Sequence, residues 1–479
     1  MSAADAAPVT QAPRQILIIA SLAAFMAFLD ATIVNIAFPA LQHAYHDEAN
    51  SSISWVLNAY NIVFAALLIP AGQLADRYSR RKLFLLGLTL FTLASGCCAI
   101  APTLPLLVAV RMTQALGAAI LIPTGMALLL PAFPASEQIK AIALLAAVSG
   151  VAFAAGPTIG GILINTVGWQ GIFLINLPLG ILTLIISSRL IKEDHTLITK
   201  SGKPNILGAL LILTGVGILA LAIVQGNTWQ WTNVRTIASL LTATALLTAA
   251  VWQTKTRATS SIELDLLKTR KFAAANIAIF AFAIGLAAKL LCDVLFMTTV
   301  WHYSELKTGL AVSASPIVTA ILARTAARLA IKTGQRASAT LGGTLYAAGC
   351  LWYTQRMGTH PHYLTSYLPG TILTGSGIAL ILPTLTSTAM LAVPETQIAA
   401  GAGINSMIRQ LGAVLGIALF IATIGTLTPA TTLTHLHHAW TLAAIASATA
   451  ATITLTLLTN TPPHTHYSTL RKRTQTRTT

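Results

Sequence analysis

Four ionisable residues sit inside runs that are otherwise apolar. Asp30 lies midway along FLDATIVNIAFP, Arg111 opens RMTQALGAA, and Lys289 and Asp293 share GLAAKLLCDVLF. A carboxylate at the centre of a membrane span costs about 3 kcal/mol on insertion scales. Asp30 should therefore face a cavity or a partner and carry a proton part of the time. A guanidinium is always charged, so Arg111 needs a carboxylate, a row of carbonyl oxygens or water. Lys289 and Asp293 are four residues apart and share one helix face, where opposite charges neutralise each other. If that pair opens when Asp293 takes a proton or meets a cation, it is a switch; if it never opens, it is a strut. Asp30 and Asp293 are the only acids this deep in apolar segments, and what such groups can do is bind protons and cations.

Their setting is a membrane protein. Of 479 residues, 55% are hydrophobic and 9% charged, with a mean hydropathy of +0.74, whereas soluble domains carry about 25% charged residues. Apolar runs of about 20 residues, enough to cross a bilayer, number fourteen. No cleavable signal is expected, because the first run follows a short polar tail, is of full spanning length and carries Asp30. The 29 lysines and arginines test the count. Sorted by alternate connections with the N-terminus inside, all but six fall on the cytoplasmic side. Arg235, Lys307 and Arg356 fall outside, and Arg111, Lys289 and Arg409 lie within spans. Such an asymmetry follows the positive-inside rule for an even number of spans with both termini cytoplasmic. The net charge of +16 is thus a topology signal and no sign of nucleic acid.

The longest internal connections, near 191–204 and 253–272, divide the chain as six, two and six helices. The expected parts are a cytoplasmic tail (1–14), an N-terminal six-helix half (15–190), a linker with two extra helices (191–272), a C-terminal six-helix half (273–458) and a basic cytoplasmic tail (459–479). GQLADRYSRRK after the second span is echoed by ARLAIKTGQR after the tenth. Parallel repeats of this kind place a substrate site between halves near the midplane.

The stretch GVAFAAGPTIGG, Gly150 to Gly161, would make a poor soluble helix. Gly150, Ala154, Gly156, Gly160 and Gly161 strip one face so that a neighbour can approach backbone to backbone, and Pro157 removes a donor and bends the helix. This pattern resembles the antiporter motif of the major facilitator superfamily, in its drug:proton antiporter branches. LDATIVNIAFP is similar to the first-span signature of the fourteen-span members. GQLADRYSRRK resembles the most widespread motif of the superfamily, with Gly72 for close approach, Asp76 toward the partner half, and Arg77, Arg80, Arg81 and Lys82 at the membrane surface; Ser79 replaces the usual second glycine. RMTQALGAA is close to RxxQGxGAA, with Gln114 and Gly117 matching and Ala115 in place of a glycine. GAGINSMIRQLGAVLG, carrying Arg409, matches a thirteenth-span pattern. WQGIFLINLPLG resembles WRWIFxINxPxG, with Gln170 and Gly171 departing; these last two serve as marks of recognition.

The resemblance implies an all-α major facilitator fold of fourteen transmembrane helices, two six-helix halves plus two central ones. It implies a monomeric exporter of small amphipathic compounds, cations among them, with protons as the coupling ion and no cofactor. Arg111 would then serve proton coupling, with Asp30 one candidate partner, and Asp76 would stabilise one state of the transport cycle. Two departures bear on mechanism: Ile331 stands where the second loop motif expects an acid, and the thirteenth span has no carboxylate, which favours monovalent or neutral lipophilic substrates. An importer or lipid flippase of the same fold is the alternative within transport, and a non-transporting sensor or scaffold is the alternative outside it. Cys97, Cys98, Cys292 and Cys350 read as small apolar residues. His435, His437 and His438 read as interfacial, so neither a metal nor an enzymatic activity is expected. The chain also lacks a GxxxxGK[ST] phosphate loop.

Overall fold

The computed structural model describes residues 13–191, 205–256, 266, 268–393, 398–425 and 431–458. Both tails and most of the basic connections near 192–204 and 257–265 lie outside them. The long helices are α1 Pro13–Ile36, α2 Trp55–Arg77, α3 Arg80–Ala99, α4 Leu104–Ala132, α5 Ala135–Val167, α6 Asn176–Leu190, α7 Ile206–Trp229 and α8 Val234–Thr256. They continue with α9 Arg270–Thr299, α10 Ala314–Thr333, α11 Gln335–Arg356, α12 Leu368–Leu391, α13 Ile398–Ile424 and α14 Thr432–Leu457. Twelve described spans are long and apolar enough to cross a membrane; α5 and α11 are not among them.

Local chemistry sets several helix ends. Ser79 caps α3 by accepting from the Lys82 amide, and Asn205 caps α7 by accepting from Gly208 at 2.9 Å, each satisfying one of the donors a helix start leaves free. Within the helices, serine and threonine hydroxyls mostly bond back to a carbonyl one turn earlier, as Thr92 does to Leu88 and Thr124 to Ile120. That return bond lets so many hydroxyls reside in apolar helices without an orphaned donor.

The chain forms two compact units. The first takes residues 1–260 with 297–313, the second 261–296 with 314–479. In the first, α3 packs on α4, α2 on α4 and α1 on α5, around a core that includes Met26, Tyr60, Phe64, Phe84, Leu88 and Phe91. The pair α7–α8 belongs to this unit, α7 lying against α2. An amide triad fastens it: the Asn205 amide donates to Gln73 Oε1 at 2.9 Å, and Asn205 and Gln253 exchange two bonds of 2.8 Å. In the second unit α11 packs on α12 and α14, and α10 on α12.

One packing device recurs in both units. A Cβ placed on Gly117 of α4 would come within 2.6 Å of the Phe91 amide nitrogen and 2.8 Å of the Gly87 carbonyl of α3. In α11 and α12, a Cβ on Gly342 would meet the Ile381 nitrogen at 2.7 Å, and one on Gly377 the Gly342 carbonyl at 2.7 Å. Small residues bring the third and fourth helices of each half into backbone contact, which in lipid supplies the packing that a hydrophobic driving force cannot.

Candidate functional site

The first unit is built inward onto Asp30. Its α1 position is fully buried, and Oδ2 accepts a 2.6 Å bond from Arg111 Nη1 of α4. Oδ1 accepts from Gln114 Nε2 at 2.9 Å and Asn176 Nδ2 at 3.1 Å. Ser95 Oγ of α3 accepts from the same two amides, at 2.7 and 3.3 Å, and donates to the Phe91 carbonyl. Arg111 also donates to Gln114 Oε1 at 2.6 Å and to the Val56 carbonyl at 3.3 Å. Its guanidinium carbon lies 4.1 Å from the centre of the Tyr60 ring and 5.6 Å from that of Phe173. Asp30, Arg111, Gln114, Ser95 and Asn176 are each at most 1% exposed. A buried ion pair is tolerable only when further hydrogen bonds and a polarisable face meet the remaining valences, and this one has both. The helical spacing explains the geometry: Arg111 and Gln114 are three residues apart and share the α4 face toward α1.

The second unit repeats the plan with different side chains. Asp293 of α9 is buried, and Oδ2 lies 2.5 Å from Lys289 Nζ one turn away. Tyr367 donates its hydroxyl to Oδ2 and Trp440 its indole N–H to Oδ1, both at 2.8 Å. Tyr353 stacks on Tyr367 at 5.2 Å, tilts against Trp440 at 5.3 Å, and lies under the Lys289 ammonium at 5.0 Å. In each unit, then, an acid from the first helix of the half is bonded by groups from the fourth helix, or the turn leading into it, and from the sixth, and a third-helix residue, Ser95 or Tyr353, touches those groups in turn. Amides surround the first acid and aromatic rings the second. Tyr367 ends a π-helical turn, Tyr363–Tyr367, that runs into α12; such turns shift the register of a helix and often accompany functional sites.

Sequence reasoning singled out Asp30, Arg111, Gln114, Lys289 and Asp293, and the structure gathers them into these two centres. It did not foresee Ser95, Asn176, Tyr367 or Trp440 as partners. Asn176 carried a signal, since it stands within WQGIFLINLPLG as a polar residue in an apolar run. Tyr367 and Trp440 carried none that separates them from rings facing lipid. Tyr60 covers Arg111, Tyr353 covers Lys289, and Trp301 tilts against Tyr303 at 5.4 Å. Asn58 is fully buried with neither amide atom hydrogen-bonded among the described residues.

The stripped face of α5 receives two partners within the first unit. Gly156 abuts Thr32 of α1, Gly160 abuts Ile33, and Pro157 and Gly161 receive the short helix Glu305–Val312 through Gly309 and Glu305. Thr158 and Ser313 pair their hydroxyls beside this contact. A Cβ at Gly161 would lie 2.7 Å from the Glu305 carbonyl oxygen. Gly161→Val is therefore expected to destabilise by about 1–3 kcal/mol, the cost of overpacking a tight contact. The check is the thermal midpoint in detergent, where an unchanged value would remove the close approach from the account. The side chain of Ala154 and the surroundings of Gly150 lie outside the described residues.

The remaining motif residues are less convergent. Arg80 Nη1 donates to the Ala127 carbonyl at 3.0 Å and Arg81 Nη2 to Ser188 at 2.8 Å, so these two bases clasp the ends of α4 and α6 and are more than an orientation signal. Gly72 faces Pro123, with 3.8 Å left for a Cβ. The side chains of Asp76 and Arg77 lie outside the described residues. Arg409 is half-buried in α13, where Gly412 and Gly416 rest against the Phe280 and Ile284 carbonyls of α9. His435 and His437 bond the Ile424 and Met357 carbonyls, each at 2.9 Å. Cys98, Cys292 and Cys350 are buried and Cys97 is exposed, all four unpaired.

Fold and buried centres together define a multi-pass membrane transporter. Among solved structures, the transporter PepTSo of the POT family matches with a TM-score of 0.67 at 15% identity, over 92% of this chain and 97% of that one. The xylose transporter XylE from E. coli matches with 0.65 at 13%, over 94% and 98%. A family model described as Major Facilitator Superfamily matches residues 20–291. The multidrug resistance protein Stp of Mycobacterium tuberculosis is 32% identical over 88% of this chain and 78% of its own. The methylenomycin A resistance protein of Bacillus subtilis is 30% identical over 84% and 86%. The chain belongs to the Major Facilitator Superfamily.

Proposed function

We propose that this protein exports small amphipathic compounds, lipophilic monocations among them, across the cytoplasmic membrane in exchange for protons. The observation that carries this reading is the fully buried Asp30–Arg111 pair, held by amides from α4 and α6, with Asp30 on α1, the helix that also meets the glycine surface of α5. The resistance proteins named above support the substrate class by similarity. In the cycle, ionised Asp30 is held by Arg111. A proton arriving from outside removes that attraction and biases the molecule toward one of its two access states, and release of the proton inside restores the pair. Differential stabilisation of two states is all that alternating access requires. Asp293 is the second candidate carrier, and Asp76 a latch that favours one state.

The accompanying topology is fourteen spans, with α5 and α11 crossing too, both termini cytoplasmic and the chain acting as a monomer in the bilayer. The domain limits proposed with it are 15–190 and 273–458 as six-helix halves about a two-helix linker, whose helices α7 and α8 group with the first compact unit. The test is efflux of a lipophilic fluorescent cation from proteoliposomes under an imposed pH gradient. Transport that follows the size and sign of the gradient is expected. Movement indifferent to the gradient would sink proton exchange, and a dication carried as fast as a monocation would sink the charge preference.

A further inference from the structure

We infer that the Tyr60 hydroxyl is the positioning partner of Asp30 in proton exchange: it donates to the carboxylate and, by turning about its C–O bond, accepts the hydrogen of the carboxyl. The inference deepens the reading of Asp30 as a proton carrier and rests on it. Ionised Asp30 is met by donors. Arg111 Nη1 serves Oδ2, Gln114 Nε2 and Asn176 Nδ2 serve Oδ1, and the Tyr60 hydroxyl adds a further bond. The lone pairs of a carboxylate suit that arrangement, but a protonated carboxyl must itself donate. A buried O–H with no acceptor is costly, so one partner has to change from donor to acceptor.

The partners differ in what that change would break. Arg111 has no acceptor atom to offer. Gln114 holds Arg111 through Oε1 at 2.6 Å and donates through Nε2 to Ser95 at 2.7 Å, so turning its amide would set N–H groups against the guanidinium. Turning Asn176 would bring its Oδ1 to the carboxyl but would take both Nδ2 hydrogens away from Asp30 and Ser95, their two acceptors. A phenol is donor and acceptor at one atom, and its hydrogen swings about a single bond while every heavy atom stays in place. Val56 and Tyr60 are four residues apart on α2 and share the face toward Arg111. The Val56 carbonyl accepts from Arg111 Nε at 3.3 Å, and the centre of the Tyr60 ring lies 4.1 Å from the guanidinium carbon. The ring thus stays against the permanent charge while the hydroxyl answers the carboxyl. Tyr60 is also 2% exposed, where Asp30, Gln114 and Asn176 are 0%, and the released phenol hydrogen turns to water at that edge. A proton from water on the outward side ends on Asp30, converting carboxylate to carboxyl, and Tyr60 is a neutral phenol before and after. Around Asp30 the charged and titratable groups are Arg111 from α4, Tyr60 from α2 and Cys98 from α3. The sixth helix brings the neutral Asn176, and α5 meets α1 with Gly156 and Gly160.

The test is pH-difference infrared spectroscopy on the full chain in liposomes, with the tyrosine rings isotopically labelled. A protonated-carboxyl band that is lost in Asp30→Asn should titrate together with a shift of a labelled tyrosine C–O stretch, which differs between a donating and an accepting phenol. That tyrosine component should vanish in Tyr60→Phe, which keeps the ring against Arg111 and removes the hydroxyl alone. It should vanish in Asp30→Asn as well, a comparison that stands even where the phenylalanine variant fails to fold. In Tyr60→Phe, turnover under a pH gradient is expected to fall about tenfold while equilibrium binding of a lipophilic monocation stays within about twofold. An Asp30 carboxyl band that titrates with no tyrosine shift, or parent-like turnover in Tyr60→Phe, overturns the role of Tyr60 and leaves proton exchange standing. The absence of any titrating band that depends on Asp30 overturns both.

Discussion

Asp30→Asn is expected to yield a folded protein whose gradient-driven efflux is at least about a hundredfold slower than the parent, the scale on which a positioned proton-transfer group acts. The substitution keeps the shape and one acceptor for Arg111 but removes the negative charge and the site of protonation. Breaking one side of a buried ion pair costs about 3–5 kcal/mol. Here the lower part of that range applies, because Arg111 retains Gln114 Oε1, the Val56 carbonyl and the Tyr60 ring. A lower thermal midpoint in detergent should accompany the loss of transport. Arg111→Lys is expected to fare little better, since one ammonium cannot reach Asp30, Gln114 and Val56 together and lie flat on Tyr60. Both are read in proteoliposomes, with monodispersity as the control for folding. Undiminished gradient-driven efflux in a folded Asp30→Asn protein would take coupling out of the first helix and place it on Asp293.

The second large effect separates a switch from a strut at Lys289 and Asp293. Asp293→Leu alone strands a buried ammonium, together with the Tyr367 hydroxyl and the Trp440 indole N–H, and should lower stability by about 3–5 kcal/mol. Lys289→Met combined with Asp293→Leu removes both charges and should recover most of that loss, because apolar groups of similar volume often replace a buried pair without penalty. What the double variant then does in transport decides the role. Parent-like gradient-driven efflux makes the pair a strut. A stable double variant that binds a lipophilic monocation but does not couple its movement to protons makes it a switch. The aromatic wall favours neither outcome in advance: Tyr353 under Lys289 stabilises the ammonium, while the hydroxyl of Tyr367 and the indole of Trp440 stabilise the carboxylate.

The membrane class, the positions of the long helices and the identity of the deep charges were legible in the amino-acid order. Those features are written in composition and in local spacing: an apolar run of spanning length has few alternatives in lipid, and a charge within such a run has to be satisfied by something. The same locality makes the i, i+4 pair Lys289–Asp293 and the small-residue face of α5 legible in the sequence. Legibility ended where partners come from distant parts of the chain. Nothing in the spacing around Ser95, Asn176, Tyr367 or Trp440 says that two would close on Asp30's network and two on Asp293, because each stands in a helix whose rotation is set by packing against its neighbours. The linker is a similar case: hydropathy separates α7 and α8 from both halves, yet Asn205, Gln73 and Gln253 fasten them to α2. A helical membrane protein with an acid on the first helix of each half follows from the amino-acid order alone. That one acid is ringed by amides and an arginine and the other by aromatic rings and a lysine follows from packing, since helix rotation and the glycine-mediated approach of α3 to α4 and α11 to α12 choose which side chains meet.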